Sequence, residues 1–385
     1  MKRVCIVRQK YFPMQRNLRR SASTLIKEDY DVEVICVGEK GDKKQENLEG
    51  VNIHRVYFSY HRGSVFWYLF DYAAFFILAS LKLAWLSLKK RYDVVEVHTM
   101  PDFLVFVTLL PKLLGSKVIL YMFENTTEVF VASFGISHNH LLAKFLSWIA
   151  KISAGYADSV IVSDGPLHKK SVESYGIPGE KITVVLNVPD DSVFNHEPVS
   201  SNEENSHFQM IVVSTIVKRY GIQTLIKAVP LLLKNIPELK LDIVGDGELR
   251  PDLEKMTRNM GIEEYVNFTG YLPYETVPDY IAQADVAIAP MIDDVGAPNK
   301  IFEYIAVGKA TVASSLPGVK AVFDDSSVLY FRPGDEKDLA DRILELYKNP
   351  GKREALVLSA KTLYNEYRWP IMRDRYLGVY KRLLG

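Results

Sequence analysis

"DVAIAPMIDDVGAPNKIFEYIAVGKATVAS", residues 285–314, decides the fold. It opens on a short apolar run, passes through a polar loop, enters an apolar segment and closes on a second short run rich in β-branched residues. The two outer runs are continuous rather than alternating, the pattern of strands covered on both faces of a parallel sheet. Pro298 suits the start of the intervening helix, and Gly308 punctuates its end. The stretch therefore reads as strand, crossover helix, strand.

Outward from it the same unit repeats. Before it come the strand "FQMIVVST", the helix "IQTLIKAVPLLLKNI", the strand "LKLDIVGDG" with a Gly-rich end, the helix "LRPDLEKMTRNMG", the strand "VNFTGYL" and the helix "VPDYIAQA". After it comes a late helix, "EKDLADRILELYKN". In the other half "RVCIVRQ", "DVEVICVG", "DVVEVHT", "KVILYMF", "SVIVSD" and "KITVVLNVPD" read as strands. Residues 17–28, "FLVFVTLLPKLLG" and "LLAKFLSWIAKISAGYA" read as helices between them. The polar run "VSSNEENSH", residues 199–207, separates the halves. The expectation is two doubly wound α/β domains, 1–198 and 207–370. Ligands in such sheets sit beyond the carboxyl ends of strands, and the cleft between two such domains is the default site.

Bulk properties narrow the function. The chain has 385 residues, 48% hydrophobic and 24% charged, with Lys+Arg and Asp+Glu at 47 each. No basic field is available to attract nucleic acid. Cys5 and Cys36 lie in apolar runs, as small buried hydrophobes of a reducing compartment do. The start, "MKRVCIVRQ", is basic, but its apolar run is too short for a signal peptide. A cytoplasmic protein is expected. "VFWYLFDYAAFFILASLKLAWLSL", residues 65–88, is long enough to span a bilayer and is followed by "KKRY". Asp71 and Lys82 interrupt it, and it lies between strands of one sheet. A buried or interfacial helix fits it better than a span.

Lys300 and Glu303 stand three apart on one helix face. They make either a surface ion pair or one wall of a sugar-phosphate site. Several strings decide between these by resemblance. "VVSTIVKRYGIQTLIKA", "LDIVGDGELRPDLEK", "VNFTGYLPYETVPDYIAQADVAIAP", "PNKIFEYIAVGKATVAS" and "FRPGDEKDLADRI" are similar, in order, to the retaining glycosyltransferases of family 4, the group 1 glycosyl transferases. "VHTMPDFLVFVTLLPKLLG" and "ADSVIVSD" in the first half resemble that family too, and "WPIMRDRYLGVYKRLL" looks like the helix that crosses back onto the first domain. The resemblance implies a GT-B fold of two Rossmann-like domains facing a central cleft, with residues 371–385 returning to the first. It also implies a nucleotide-diphosphate sugar as donor substrate, with no further cofactor and no metal required.

Residue by residue, Glu303 matches the second glutamate of the family's E-x7-E motif, which implies hydrogen bonds to the ribose hydroxyls. Val295 occupies the place of the first glutamate. The backbone N–H groups of Gly296, Ala297 and Asn299 and the Lys300 ammonium are candidate diphosphate or hexose donors. Thr215 stands near the family's arginine place; Lys218 and Arg219 supply cations from shifted positions. Tyr271 and Leu272 follow the strand where the base rests. In the first domain Phe123 replaces the family's histidine, leaving Glu124, and His98 at the neighbouring strand end, as polar groups for the donor hexose or acceptor hydroxyl. "QRNLRRS", residues 15–21, offers arginines to an anionic group or to solvent.

The resulting expectation is a sugar transferase acting on a glycan or lipid-linked acceptor, with peripheral membrane contact at the inner face of the membrane through the 65–88 segment. A GT-B-fold sugar-nucleotide epimerase and a non-catalytic partner of another transferase are the competing readings.

Overall fold

The Val/Ile runs of the first half pair into one eight-stranded sheet. The computed structural model describes residues 1–12, 14–39, 41–58, 65–194, 207–294, 296 and 299–385, with the backbone alone at 65–69 and 132–134. The chain divides into two units, Met1–Asn187 with Arg373–Gly385, and Val188–Met372.

The strands of the first unit are β1 (Arg3–Tyr11), β2 (Asp31–Val37), β3 (Gln45–Leu48), β4 (Val51–Val56), β5 (Val94–His98), β6 (Lys117–Met122), β7 (Ser159–Val162) and β8 (Ile182–Val184). Their order is β3-β4-β2-β1-β5-β6-β7-β8. Every pair is parallel except β3 with β4. Four consecutive β1 residues, Val4 to Val7, are fully buried, so helices cover both faces. On one face the helices Val65–Lys89 and Leu141–Tyr156 and the 3-10 segment Asp102–Thr108 share a core with Val7, Val97 and Leu120. Cys5 and Cys36 are buried and free.

Two local expectations change. The hairpin β3–β4 carries no clear strand signal: β3, "QENL", has no apolar run, and Asn52, His54 and Arg55 break that of β4. Its turn places Glu49 at φ 54° and Gly50 at φ 85°, the two left-handed residues of a tight hairpin turn. "FLVFVTLLPKLLG" is not one α-helix but the 3-10 segment followed by a short helix, Leu109–Leu113. Val105, Val107 and Thr108 are β-branched and resist α-helix, and the Thr108 hydroxyl donates to Val105 O at 2.7 Å.

The second unit holds β9 (Phe208–Val213), β10 (Leu239–Val244), β11 (Val266–Gly270), β12 (Val286–Ala289), β13 (Ala310–Ser314) and β14 (Leu329–Phe331). Their order is β11-β10-β9-β12-β13-β14, all parallel. This is the dinucleotide-fold order, with its topological switch between β9 and β12. The unit begins before residue 198. The short helix Asp191–Phe194 joins it, because Asp191 pairs with Arg368 at 3.0 Å and Phe194 is 1% exposed. Residues 199–206 of the polar run lie outside the described residues. The last helix, Trp369–Leu384, carries the chain back to the first unit at Arg373.

Candidate functional site

The switch point of the second unit is held open by one hydroxyl. β9 and β12 are neighbours, yet their pairing is limited to Val286 with Met210 and Ala287 with Ile211. Beyond those pairs the strands part, because their crossovers leave in opposite directions. Tyr304, 1% exposed on the helix Asn299–Ala306, fills the gap. Its hydroxyl accepts from Val213 N at 2.8 Å and donates to Ile288 O at 3.3 Å. A buried N–H that has lost its strand partner is thereby satisfied.

The loops that leave the strand ends are joined through their backbones. Ser214 N donates to Val244 O at 2.9 Å, Ile216 N to Asp246 O at 2.9 Å, and Ile292 N to Arg219 O at 3.0 Å. Such approach leaves no room for side chains. A Cβ at Gly245 would stand 1.9 Å from Ser214 O, one at Gly247 2.4 Å from Ile216 O, and one at Gly221 1.8 Å from Pro290 O. The glycines of "GDGE" thus serve contact between loops as well as a turn.

Glu303 and Lys300 form the pair their spacing allows. Lys300 Nζ donates to both Glu303 oxygens, at 2.8 and 3.1 Å. Glu303 is 4% exposed, so this is no solvated surface bridge. Each carboxylate oxygen offers two lone-pair directions, and Lys300 takes one of each. Lys300 thus orients Glu303 with two of its three N–H groups. Asp294 is a loop clamp: its carboxylate accepts from Gly318 N at 3.0 and 3.2 Å, and partial burial raises its pKa. Gly296 sits at φ 102° beside Gly318, and Asn299 opens the helix. Val295 and Ala297 lie outside the described residues. Thr215 and Lys218 are exposed, whereas Arg219 is half-buried, with its Nε buried and without a hydrogen-bond partner. Tyr271 is 80% exposed and Leu272 half-buried, so the tyrosine is not a core residue.

The strand ends of the first unit hold a second polar cluster. His98 is fully buried. Its Nε2 meets Glu96 Oε1 at 2.5 Å and its Nδ1 meets Arg8 Nη1 at 3.3 Å. An arginine only donates, so Nδ1 accepts and the proton sits on Nε2, facing Glu96. Burial lowers the pKa of His98, with Glu96 opposing. Both ring nitrogens are used, which corrects the expectation that His98 contacts substrate: it positions Arg8 and Glu96. Glu96 Oε2 accepts from Tyr376 at 2.9 Å and Tyr380 at 2.7 Å, both on the returning C-terminal helix. The Arg8 guanidinium lies 4.2 Å from the centre of the Phe123 ring, and burial brings its pKa down to about 10. Glu124 is half-buried, and its charge acts on Arg8 and on Asp164. Asp164 has a pKa well above the ordinary range, through burial first and Glu124 second. Asp102, 2% exposed, accepts from the Thr126 hydroxyl at 2.9 Å, and burial lifts its pKa to about 7. Arg19 of the "QRNLRRS" stretch makes an exposed bridge to Glu49, and Arg20 donates to Asn187 at 3.1 Å.

Sequence reasoning missed Arg8, Glu96, Asp164 and Tyr304. The signal for the first two was present: Arg8 directly follows the apolar run of β1, and Glu96 interrupts that of β5. Among the described residues, no group of three or more His, Cys, Asp or Glu side chains stands together as a metal site.

A family profile described as "Glycosyl transferases group 1" matches residues 207–349, and one described as "Glycosyl transferase 4-like domain" matches residues 14–187. An uncharacterized glycosyltransferase of Methanocaldococcus jannaschii is 25% identical over 377 residues, 94% of this chain and 92% of its own. The lipopolysaccharide core biosynthesis glycosyltransferase LpsD of Rhizobium meliloti is 31% identical over 178 residues, 46% of this chain and 50% of its own. Among solved structures, Anabaena HepE in complex with UDP superposes with a TM-score of 0.75 at 14% identity, covering 99% of this chain and all of its own.

Proposed function

The chain belongs to the group 1 glycosyltransferases and has their GT-B fold, and from that premise we propose that it moves a sugar from a nucleoside-diphosphate sugar to a hydroxyl of a lipid-linked glycan, with retention at the anomeric carbon. The observation that carries the donor assignment is the switch point of the second unit. There three strand-end loops meet backbone to backbone, and Tyr304 ties the helix that carries the buried Glu303 to the strand ends. UDP in HepE and the lipopolysaccharide role named for LpsD support the donor class and the acceptor class.

Glu303, held by Lys300, keeps lone pairs for the two ribose hydroxyls. The N–H groups of Gly296 and Asn299 and the side chain of Arg219 or Lys218 take the diphosphate. The Arg219 Nε without a partner suits a phosphate oxygen. As the glycosidic bond breaks, the leaving diphosphate gains charge, and those donors stabilise it with no metal required of the protein. Exposed Tyr271 offers a face for the base. In the first unit Glu124, beside Arg8 and Asp164, orients the acceptor hydroxyl, and enzyme and acceptor meet at the cytoplasmic face of a membrane.

The test is incubation with a panel of nucleotide sugars with and without membrane lipid extract, following nucleoside diphosphate and product. Acceptor-dependent release of the diphosphate supports the proposal. Acceptor-independent release with a rearranged free sugar would instead identify an epimerase, and binding without turnover a non-catalytic partner.

A further inference from the structure

The helix Val65–Lys89 lies along the sheet rather than standing clear of it. Phe75, Ala79 and Leu83 are fully buried against the core of the first unit. One face is thus satisfied, yet the opposite face stays apolar. Ile77 is 56% exposed, Leu81 66%, Trp85 46% and Leu88 70%, at helical spacing. The next elements on the same side of the sheet continue the pattern. Leu109 and Leu113 of the short helix Leu109–Leu113 are exposed, and so are Leu141, Phe145 and Trp148 of the helix Leu141–Tyr156. The 3-10 segment Asp102–Thr108 packs against both long helices, so these side chains belong to one layer. Contiguous apolar surface of this kind marks an interface.

Charge identifies what the surface meets. The only acids on the three helices and the 3-10 segment are Asp71 and Asp102, buried at 1% and 2% exposure. The bases face out. Lys89 is exposed with its ammonium 3.7 Å from the Trp85 ring centre, Arg91 follows it, and Lys144 and Lys151 are exposed beside Trp148. The whole chain has a formal net charge of zero, so this bias is local. A two-fold contact with a second copy would set this basic rim against itself. An anionic lipid surface matches both the apolar stripes and the rim, with tryptophans at headgroup depth.

We propose that the outer face of the helices Val65–Lys89, Leu109–Leu113 and Leu141–Tyr156 docks the first unit onto an anionic bilayer as a peripheral, non-spanning contact. The docking names the surface on which the acceptor is met and does not depend on which sugar is transferred.

The experiment is flotation of the full chain with phosphatidylcholine vesicles, with and without phosphatidylglycerol, and no nucleotide sugar present. Leu81→Glu and Trp148→Glu probe the two long helices. Leu358→Glu, at an exposed leucine of the second unit, is the control. The expected result is binding to the anionic vesicles that weakens with salt, falls about tenfold or more in each probe variant and is unchanged in the control. A native-like urea unfolding midpoint in each variant certifies folding, and unchanged nucleoside diphosphate affinity separates this test from that of the transferase reading. No flotation of the native chain overturns the proposal. So does native-like binding by Trp148→Glu, or a dimer in light scattering that the probe variants dissolve without any vesicle binding.

Discussion

Tyr304 reaches across the switch point to Val213: its hydroxyl accepts the Val213 N–H at 2.8 Å where β9 no longer has β12 beside it. The same helix carries Glu303, so one buried hydroxyl sets the distance between that carboxylate and the loop that follows β9. Tyr304→Phe leaves a buried N–H unpaired. The expected loss is about 1–3 kcal/mol of stability in urea denaturation, together with weaker nucleoside diphosphate binding.

Gly221 carries the second prediction. Its φ is 69° and a Cβ there would stand 1.8 Å from Pro290 O. Gly261 has a similar φ, 64°, with open space around it. Gly261→Ala should therefore cost only the left-handed backbone term, about 1–2 kcal/mol. Gly221→Ala should add roughly 1–3 kcal/mol for displaced loops and should weaken nucleotide binding. Paired denaturation and titration curves check both.

Asp102 makes the stability depend on pH. Burial lifts its pKa from 3.8 to about 7, so the folded chain keeps a proton that the unfolded chain releases earlier. Stability therefore falls as pH rises through this window, by at most roughly 4 kcal/mol from this group. Asp102→Asn should flatten the slope. Urea midpoints of both proteins between about pH 4 and pH 7 give the comparison.

Glu96 tests the first unit separately. It is fully buried and accepts from His98, Tyr376 and Tyr380. Glu96→Gln puts an amide donor where three donors converge, and the expected loss is roughly 3 kcal/mol. Nucleoside diphosphate affinity should stay as in the native chain, because the proposed nucleotide contacts lie in the other unit.

The alternation of strands and helices was legible because continuous Val/Ile runs and period-3.6 segments are local signals. The Lys300–Glu303 pair was legible for the same reason: i and i+3 share a face. Strand order was not, since it depends on which way each crossover turns. Gly221 and Gly245 looked like turn punctuation, and only the fold brings Pro290 and Ser214 against them. Tyr304 looked like one more apolar helix residue, because its partner Val213 lies 91 positions away. His98 stood out as a reactive residue at a strand end. Arg8 from β1, Glu96 from its own strand and Tyr376 from a helix 280 positions beyond Glu96 make it a buried positioning group.

The central claim is that Glu303 binds the ribose of a nucleotide held at the switch point. Calorimetric titration of UDP, GDP and ADP selects the diphosphate that binds most tightly, and that ligand is then titrated into Glu303→Ala after its fold is verified. The account predicts a loss of about 1.5–3 kcal/mol in binding free energy, the range of a charge-assisted hydrogen bond. Unchanged affinity in the folded variant would contradict it and remove Glu303 from the site.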